Sequence, residues 1–398
     1  LKPDVSNYMV IIERYLKKYL IENLQEFPAV AILGPRQCGK STLAKMVLQG
    51  MKDVVYLDLE KPSDRLKISD PEIFFETNRN KLICLDEIQR LPEIFQVIRS
   101  EIDINRKAGR FLILGSASKD LVRQSSESLA GRIIYLNLTP FLFQEIYPEQ
   151  SFQKYWLRGG FPSSFLATSD KASFTWRNSF IQTFLERDIP QLGFSIPAET
   201  IRRLWQMLAH QHGQLLNLSS LGNSLGLSHT TIRNYIDLLS ETFMVRVLQP
   251  YNKNIKKRLV KTPRIYLRDH GILHSLLQLG SFDQLLGHPV FGSSWEGLVI
   301  ENLIAVSPGW EYFFYRTSAG AEIDLVLKFG NKILAIECKA TKSPQPTRGF
   351  WNALDDIQPS ETWIVAPVEE GFPLKRNIWV LPPEQTIKKL EEMNSSFF

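Results

Sequence analysis

AVAILGPRQCGKSTLAKMVL, residues 29–48, decides how this chain is read: an apolar run enters a glycine-bearing loop and leaves it as a helix. Ala29 to Leu33 has the length and apolarity of a buried strand, and from Thr42 to Leu48 the apolar residues recur at helical spacing. Between them Gly34, Gly39, Lys40 and Ser41 satisfy the GxxxxGKS pattern. A loop of this kind, Gly34-Pro35-Arg36-Gln37-Cys38-Gly39-Lys40-Ser41-Thr42, turns backbone N–H groups inward around phosphate oxygens. Lys40 adds a point charge, and the Ser41 hydroxyl is a ligand for Mg2+. The pattern predicts ATP with Mg2+ as the bound pair.

Four further apolar runs follow: Val54 to Leu59, Leu82 to Leu85, Phe111 to Leu114 and Ile133 to Leu138. Strands that alternate with helical stretches predict an α/β fold with a parallel sheet covered on both faces. Ligands of such a sheet bind beyond the C-terminal ends of its strands, where LICLDEIQRL presents Asp86 and Glu87. Asp86 suits the outer coordination of Mg2+, and Glu87 suits a general base that orients and deprotonates an attacking water. The run ending in GSASKD brings Ser116 or Ser118 beside those acids, either to sense the terminal phosphate or as an ordinary turn residue. Arg132, just ahead of the last run, is a candidate to reach a neighbouring subunit's nucleotide in trans. Arg123 competes for that role, and a plain surface arginine is the alternative for both. Upstream, Tyr8 to Leu20 predicts a helix beside the sheet.

ILGPRQCGKST, LICLDEIQR and LILGSAS, in this order and spacing, resemble the Walker A, Walker B and first-sensor segments of AAA-type ATPases. The resemblance covers roughly residues 8 to 145, within a domain read as 1–145. It implies a sheet of order 5-1-4-3-2, hydrolysis of ATP to ADP and phosphate, and assembly into a homo-oligomer. It also implies a second-sensor arginine in a helical lid, read as 146–199, for which Arg158 in RGGFP and Arg187 in LERDI are the candidates.

Within that lid, TPFLFQEIYPE and YWLRGGFPSSFL are rich in rings and read as a packing surface between domains. Residues 173–192 read as a helix ended by Pro190. Residues 200–275 then give the spacing of a winged helix. TIRRLWQMLAHQHGQLLN is a helix broken at Gly213, SSLGNSLGL a short helix capped by Ser219 or Ser220, and SHTTIRNYIDLLSET a helix starting at Ser228. FMVRVLQP follows as a strand, and NKNIKKRLVKTPRIYL as a candidate wing. On this reading Thr230, Thr231 and Arg233 face a DNA major groove. Lys253, Lys256, Lys257, Arg258, Lys261 and Arg264 supply phosphate contacts. A protein-binding or packing module with a solvated cationic loop is the alternative.

Residues 285–398 open with SSWEGLVIENLIAV, a helix whose apolar stripe is Trp295, Leu298, Val299 and Leu303, with Glu296 and Glu301 off it. Three strands follow, Tyr312 to Arg316, Glu322 to Lys328 and Lys332 to Glu337. Alternation puts Asp324, Glu337 and Lys339 on one face, a layout that holds a divalent metal or forms a structural ion pair. Glu296, Asp324 in EIDLVL and Glu337-Cys338-Lys339 in IECKA resemble the PD-(D/E)XK nuclease-like fold, an α+β restriction-endonuclease-like domain. The resemblance implies a metal-dependent site on those four side chains. Ile323 stands where that family's pattern has proline. The whole order, ATPase, RGGFP, winged helix and nuclease-like module, is similar to a broad group of prokaryotic predicted ATPases.

Composition closes off other classes. No run approaches the roughly 18 apolar residues that span a bilayer, and the opening LKPDVSNYMVIIERYL lacks a signal-peptide pattern, so a cytoplasmic chain without a membrane partner is expected. Three scattered cysteines argue against a disulfide framework or a zinc site. A net charge of +5 is compatible with DNA but does not demand it. Three functions remain open: an ATPase acting on DNA, a nucleotide-dependent switch that binds protein partners, and a metal-dependent DNA nuclease gated by ATP.

Overall fold

The structure is a computed structural model that describes residues 12–116, 129–148, 151–191, 194, 196–252 and 259–395. The five apolar runs form β1 (Ala29–Gly34), β2 (Val54–Asp58), β3 (Leu82–Asp86), β4 (Phe111–Ser116) and β5 (Ile133–Asn137). They pair entirely in parallel, in the order β2-β3-β4-β1-β5, which is the expected 5-1-4-3-2 read from the other edge. Side chains alternate across the strands, so each face carries its own core. Ala29, Ala31, Leu33, Leu85 and Ile113 pack on one side, and Val30, Ile32, Cys84, Leu112 and Leu114 on the other. At the end of β1 the chain passes so close to its neighbour that a Cβ on Gly34 would lie 2.2 Å from the Leu138 carbonyl oxygen.

Among the described residues the first helix runs Leu16–Glu26; of the helix expected over Tyr8 to Leu20, Tyr8 to Ile11 lie outside the described residues and Ile12 to Arg14 are not helical. The chain before it is held by tertiary bonds. Arg14 donates to Cys38 O (2.8 Å), to Thr139 O (2.6 Å) and to Glu145 (3.0 Å), whose other oxygen accepts from Tyr15 N (2.7 Å).

The middle of the chain contains the three helices expected there, Ala198–His210, Leu218–Leu225 and His229–Glu241. They are followed by an antiparallel pair, β6 (Val245–Leu248) and β7 (Arg264–Leu267). The cap of the second helix is Asn217, which accepts from Ser220 N, and not Ser219 or Ser220. The helix expected over 173–192 is α-helical from Asp170 to Thr183, widens into a π turn over Phe184–Asp188 and ends in a short turn, Ile189–Gln191. Pro190 therefore sits inside that short turn and does not terminate the helix. In RGGFP, Gly159 has φ +78°, and Gly160 N donates to the Asp269 carboxylate (2.8 Å), which also caps the helix His270–Leu276 through Ile272 N (2.8 Å).

The last segment builds a six-stranded sheet of order β12-β13-β11-β10-β9-β8 from β8 (Glu311–Arg316), β9 (Glu322–Phe329), β10 (Lys332–Cys338), β11 (Glu361–Val365), β12 (Phe372–Lys375) and β13 (Ile378–Leu381). The helix Phe291–Ala305 covers one face through Trp295 and Leu298, and Arg348–Ile357 covers the other through Phe350, Ala353 and Ile357. One continuous core, from Phe141 to Leu390, runs through the segments read from sequence as 146–199, 200–275 and 285–398. Among the described residues no helix is long and apolar enough to cross a membrane.

Glu301, expected on the polar side of its helix, is buried inside that shared core. It accepts from Arg246 of β6 (2.9 Å to Nη2) and from Arg268 just beyond β7 (2.9 Å), so the third module is fastened to the second by a buried ion triad. Burial alone would raise its pKa, but the two guanidiniums outweigh that penalty and hold it at about 2. Glu301→Gln leaves two buried cations without their counter-charge and should cost about 3 kcal/mol or more, read as a lower urea midpoint at unchanged slope. Because the folded value lies below that of a free glutamate, the stabilisation is complete above about pH 4 and is lost as pH falls through the interval toward 2. The variant should lack that acid-sensitive step.

Candidate functional site

The loop after β1 opens at the C-terminal edge of the first sheet, where helix Lys40–Leu48 begins. Gln37 (φ +63°) and Gly39 (φ +101°) make the reversal, and Arg14 closes over it, its Nη1 3.3 Å from where a Cβ on Gly39 would be. Lys40 is only 5% exposed and lies across its own loop, donating to Gly34 O (3.0 Å) and Pro35 O (2.9 Å). Cys38 is buried against Leu138. Arg36 turns away from the loop's interior to pair with Asp188 and to donate to Gln191 Oε1 (2.9 Å), tying the loop to the π turn.

The acids of the third run arrive at the same edge. Asp86 is buried and held at both oxygens, by the Tyr56 hydroxyl and by Glu87 N (3.0 Å). Glu87 adopts φ +57°, a left-handed conformation unusual for a non-glycine residue and typical of functional turns. Its carboxylate accepts from Gln89 Nε2. Burial raises its pKa above the usual carboxylate range, although Lys40 pulls the other way. Ser116 is registered against Gly34, and its buried Oγ has no hydrogen-bond partner among the described residues. An orphaned buried hydroxyl beside a phosphate-type loop is a group prepared for a ligand or its water.

A cavity of about 610 Å3 opens at the loop and reaches Glu87. Lys40, Ser41, Thr42 and Glu87 line it together with Ile12, Met46, Phe141, Pro162 and Leu166. A charged, hydroxyl-bearing set beside an apolar set suits a molecule with phosphates and an aromatic base. The rings around RGGFP point to a packing surface, and its Arg158 is a second-sensor candidate. Phe161 does pack on Phe180 (4.7 Å between ring centres), yet the neighbouring Pro162 and Ser163 reach the cavity.

The arginines distribute differently from expectation. Arg158 is buried, donating to Asp170 (2.6 Å) and to Ala167 O (2.5 Å). Arg187 is largely exposed, 3.5 Å from Asp188. Neither lines the cavity, whereas Arg14 does. Sequence gave no sign of Arg14, because its partners lie 24 to 131 residues away. Arg132 precedes β5, at the end of the sheet opposite the loop, and forms a two-pronged bridge to Asp103 (2.7 and 3.0 Å). Ser118 and Arg123 lie outside the described residues.

On the third middle helix Thr230 and Arg233 are exposed, while Thr231 is half-buried and donates through its N–H to the capping hydroxyl of Ser228 (3.1 Å). Lys253, Lys256, Lys257 and Arg258 lie outside the described residues. Lys261 is exposed. Arg264 contradicts its assignment to a phosphate-facing wing: it is 3% exposed and lies among the acids of the third module.

That acidic cluster does gather the four side chains singled out by sequence, with two additions from β7. Arg264 Nη1 donates to Glu296 Oε1 (3.1 Å) and to Asp324 Oδ1 (3.3 Å), and Tyr266 donates to Glu296 as well. Cys338 N donates to Asp324 Oδ2 (2.9 Å), and Lys339 donates to Glu337 Oε1 (2.7 Å). Glu296 and Glu337 are both pushed up to about 8, by burial first and then by the charge of Asp324. Among the described residues Glu337 Oε2 is buried without a partner. The expectation of a metal held by Asp324, Glu337 and Glu296 does not fit this arrangement. Among the described residues no group of three or more His, Cys, Asp or Glu is set to hold a metal ion, and the Arg264 guanidinium bridges Glu296 and Asp324 while Lys339 pairs with Glu337.

Three family models match successive parts of the chain: an AAA domain over residues 26–147, and two domains of unknown function, DUF8612 over 149–283 and DUF4143 over 291–385. Among solved structures, the Walker-type ATPase PABY2304 of Pyrococcus abyssi is similar at a TM-score of 0.47 and 13% identity, covering 67% of this chain and 96% of that one. An uncharacterized protein of Haemophilus influenzae is 24% identical over 299 residues, 67% of this chain and 74% of its own length. The uncharacterized protein Rv2008c of Mycobacterium tuberculosis is 40% identical over 379 residues, covering 95% of this chain and 85% of its own length, and Mb2031c of Mycobacterium bovis matches equally. With an AAA-type P-loop domain at its head and that identity sustained along nearly its whole length, the chain belongs to the family of Rv2008c and Mb2031c.

Proposed function

We propose that this chain binds ATP with Mg2+, hydrolyses the terminal phosphate, and uses the cycle to act on DNA through its middle module. The observation that carries the first part is the convergence of Lys40, Asp86, Glu87 and Ser116 on one edge of a parallel sheet, with Lys40 and Glu87 lining a cavity that has an apolar side. Gly34 to Thr42 hold the phosphates, and Lys40 exchanges its two loop carbonyls for phosphate oxygens. Ser41 and Asp86 hold the Mg2+, which neutralises charge on the phosphate oxygens. Glu87 accepts the proton of the attacking water, its raised affinity for protons suiting a general base. Ser116 orients that water or the phosphate through its unpartnered hydroxyl. Arg132 of a neighbouring copy in a homo-oligomer completes the site in trans, exchanging Asp103 for the nucleotide.

Support for a DNA load is the exposed start of the third middle helix, Thr230 and Arg233, together with the cationic stretch containing Lys256, Lys257 and Arg258. A switch that binds a protein partner is the competing reading. The bond from Arg36 to Asp188 favours either, because both need the loop to inform the middle module. The acidic cluster does not favour cleavage, since Glu296 and Asp324 already hold the Arg264 guanidinium and Glu337 holds Lys339.

Lys40→Ala should abolish ATP turnover and weaken nucleotide binding, measured by phosphate release and by nucleotide titration. Glu87→Gln should keep binding and lower turnover about 100-fold or more; turnover at the wild-type level would remove Glu87 as the base. In the wild-type protein the acid limb of the turnover profile should lie above the range of an ordinary glutamate, since the base works only when deprotonated and its pKa is raised.

For the load, replacing Lys256, Lys257 and Arg258 by Ala should weaken duplex binding. It should also flatten the log–log salt dependence by about 2.7 units, ~0.9 per lost phosphate contact. An unchanged slope, with no DNA stimulation of turnover, would transfer the reading to a protein partner.

A further inference from the structure

We propose that the Arg264 guanidinium is the resident cation of the C-terminal acidic cluster, so that this cluster fastens the middle module to the third module and does not bind a divalent metal. The proposal is independent of whether the loop after β1 hydrolyses ATP.

Arg264 enters from β7 with its side chain 4% exposed. It contacts three carboxylates on two elements of the third module: Glu296 of the helix Phe291–Ala305, and Glu322 and Asp324 of β9. It also lies over the ring of Phe314 in β8, 5.0 Å from its centre. A guanidinium is planar, always charged and rich in donors, which suits several carboxylates at once.

Most of the carboxylate oxygens a metal would need already accept a hydrogen bond. Asp324 has one oxygen on Arg264 and the other on Cys338 N, Glu337 has Oε1 on Lys339, and Glu296 has Oε1 on both Arg264 and Tyr266. Mg2+ or Mn2+ takes about six oxygen ligands, whereas among the described residues the cluster leaves two carboxylate oxygens over, Glu337 Oε2 and Glu296 Oε2.

Displacing Arg264 would also mean peeling its strand away. Phe314 N donates to Gln249 O (3.0 Å), Tyr251 N to Phe314 O (2.6 Å), and Val260 N to Arg316 O (3.0 Å), so the chain leaving β6 and the chain approaching β7 both lie along the edge of β8. On the other side Leu216 N donates to Pro263 O (2.8 Å). The guanidinium is thus delivered by a backbone paired on both flanks, as a fixed part of the junction.

The test uses the full-length chain without nucleotide. Manganese titration followed by electron paramagnetic resonance should show no uptake by the wild-type protein up to millimolar Mn2+. Stoichiometric uptake that disappears in Asp324→Asn would overturn the proposal, and this arm needs only wild-type protein and one conservative variant. In thermal unfolding, Arg264→Met should lower the midpoint by about 5 °C or more, with Arg264→Lys between it and wild type. Adding Glu296→Gln to Arg264→Met should recover part of the loss, because it removes a charge left without its counter-ion. If the double variant loses as much as the sum of the two single ones, Arg264 acts as packing alone and the latch is rejected.

Discussion

A parallel sheet has to be covered on both faces, and β1 occupies an interior place in this one, between β4 and β5. That constraint organises the first third of the chain. It makes β1 apolar at every position, and it leaves the C-terminal edge as the outlet where loops meet. The phosphate-type loop, the Asp86-Glu87 turn and Ser116 become neighbours because their strands are neighbours, with Gly34 registered on Ser116 and β3 on β4. Local chemistry then sharpens the site. Tyr56 immobilises Asp86, Gln89 holds Glu87 in a left-handed turn, and Arg14 locks the loop from outside.

What sequence made legible follows from how local each signal is. Strands such as Phe111 to Ser116 are continuous apolar runs, and the GxxxxGKS spacing acts within nine residues, so both could be read without knowing their surroundings. The three middle helices and the strand pair were placed for the same reason, with an error at the cap, where Asn217 outcompeted two serines one turn along. Arg14, Arg264 and Glu301 were not legible in their actual settings. Each looks like a surface charge by type and by neighbours, and each is buried by partners that only the tertiary fold supplies. Arg264 was actively misleading, because it closes a run of cations and was counted with them. Burial of a charge is decided by its counter-charges, and these lie 32 and 60 residues further along the chain.

The acids of the third module show the same principle from the other side. Their spacing on β9 and β10 was read correctly, and they do meet on one face. Spacing says which carboxylates converge but not which cation compensates them. That choice belongs to β7, which sequence assigned to another module and another task. Two ion clusters of this type, Arg246-Glu301-Arg268 and the one around Arg264, join the second module to the third within a shared apolar core.

This division of cores bears on how nucleotide chemistry reaches the rest of the molecule. The strands from Ala29 to Leu138 pack in two cores of their own, and the core shared by the later segments begins at Phe141, so the change falls at Thr139-Pro140; Phe243 reaches back onto the first sheet's core, and the outer face of the last sheet keeps a core of its own. Across Thr139-Pro140 run polar ties: Arg14 to Thr139 O and Glu145, and Arg36 to Asp188. Both arginines sit on or against the phosphate-type loop. A rearrangement of that loop therefore acts first on these two buried charge pairs, whose members cannot part without leaving a buried charge uncompensated. Downstream of Phe141, the shared core and its two ion clusters resist separation of the second and third modules. The loop after β1 is thus tied, through Asp188 and Glu145, to the segments that share the core beginning at Phe141.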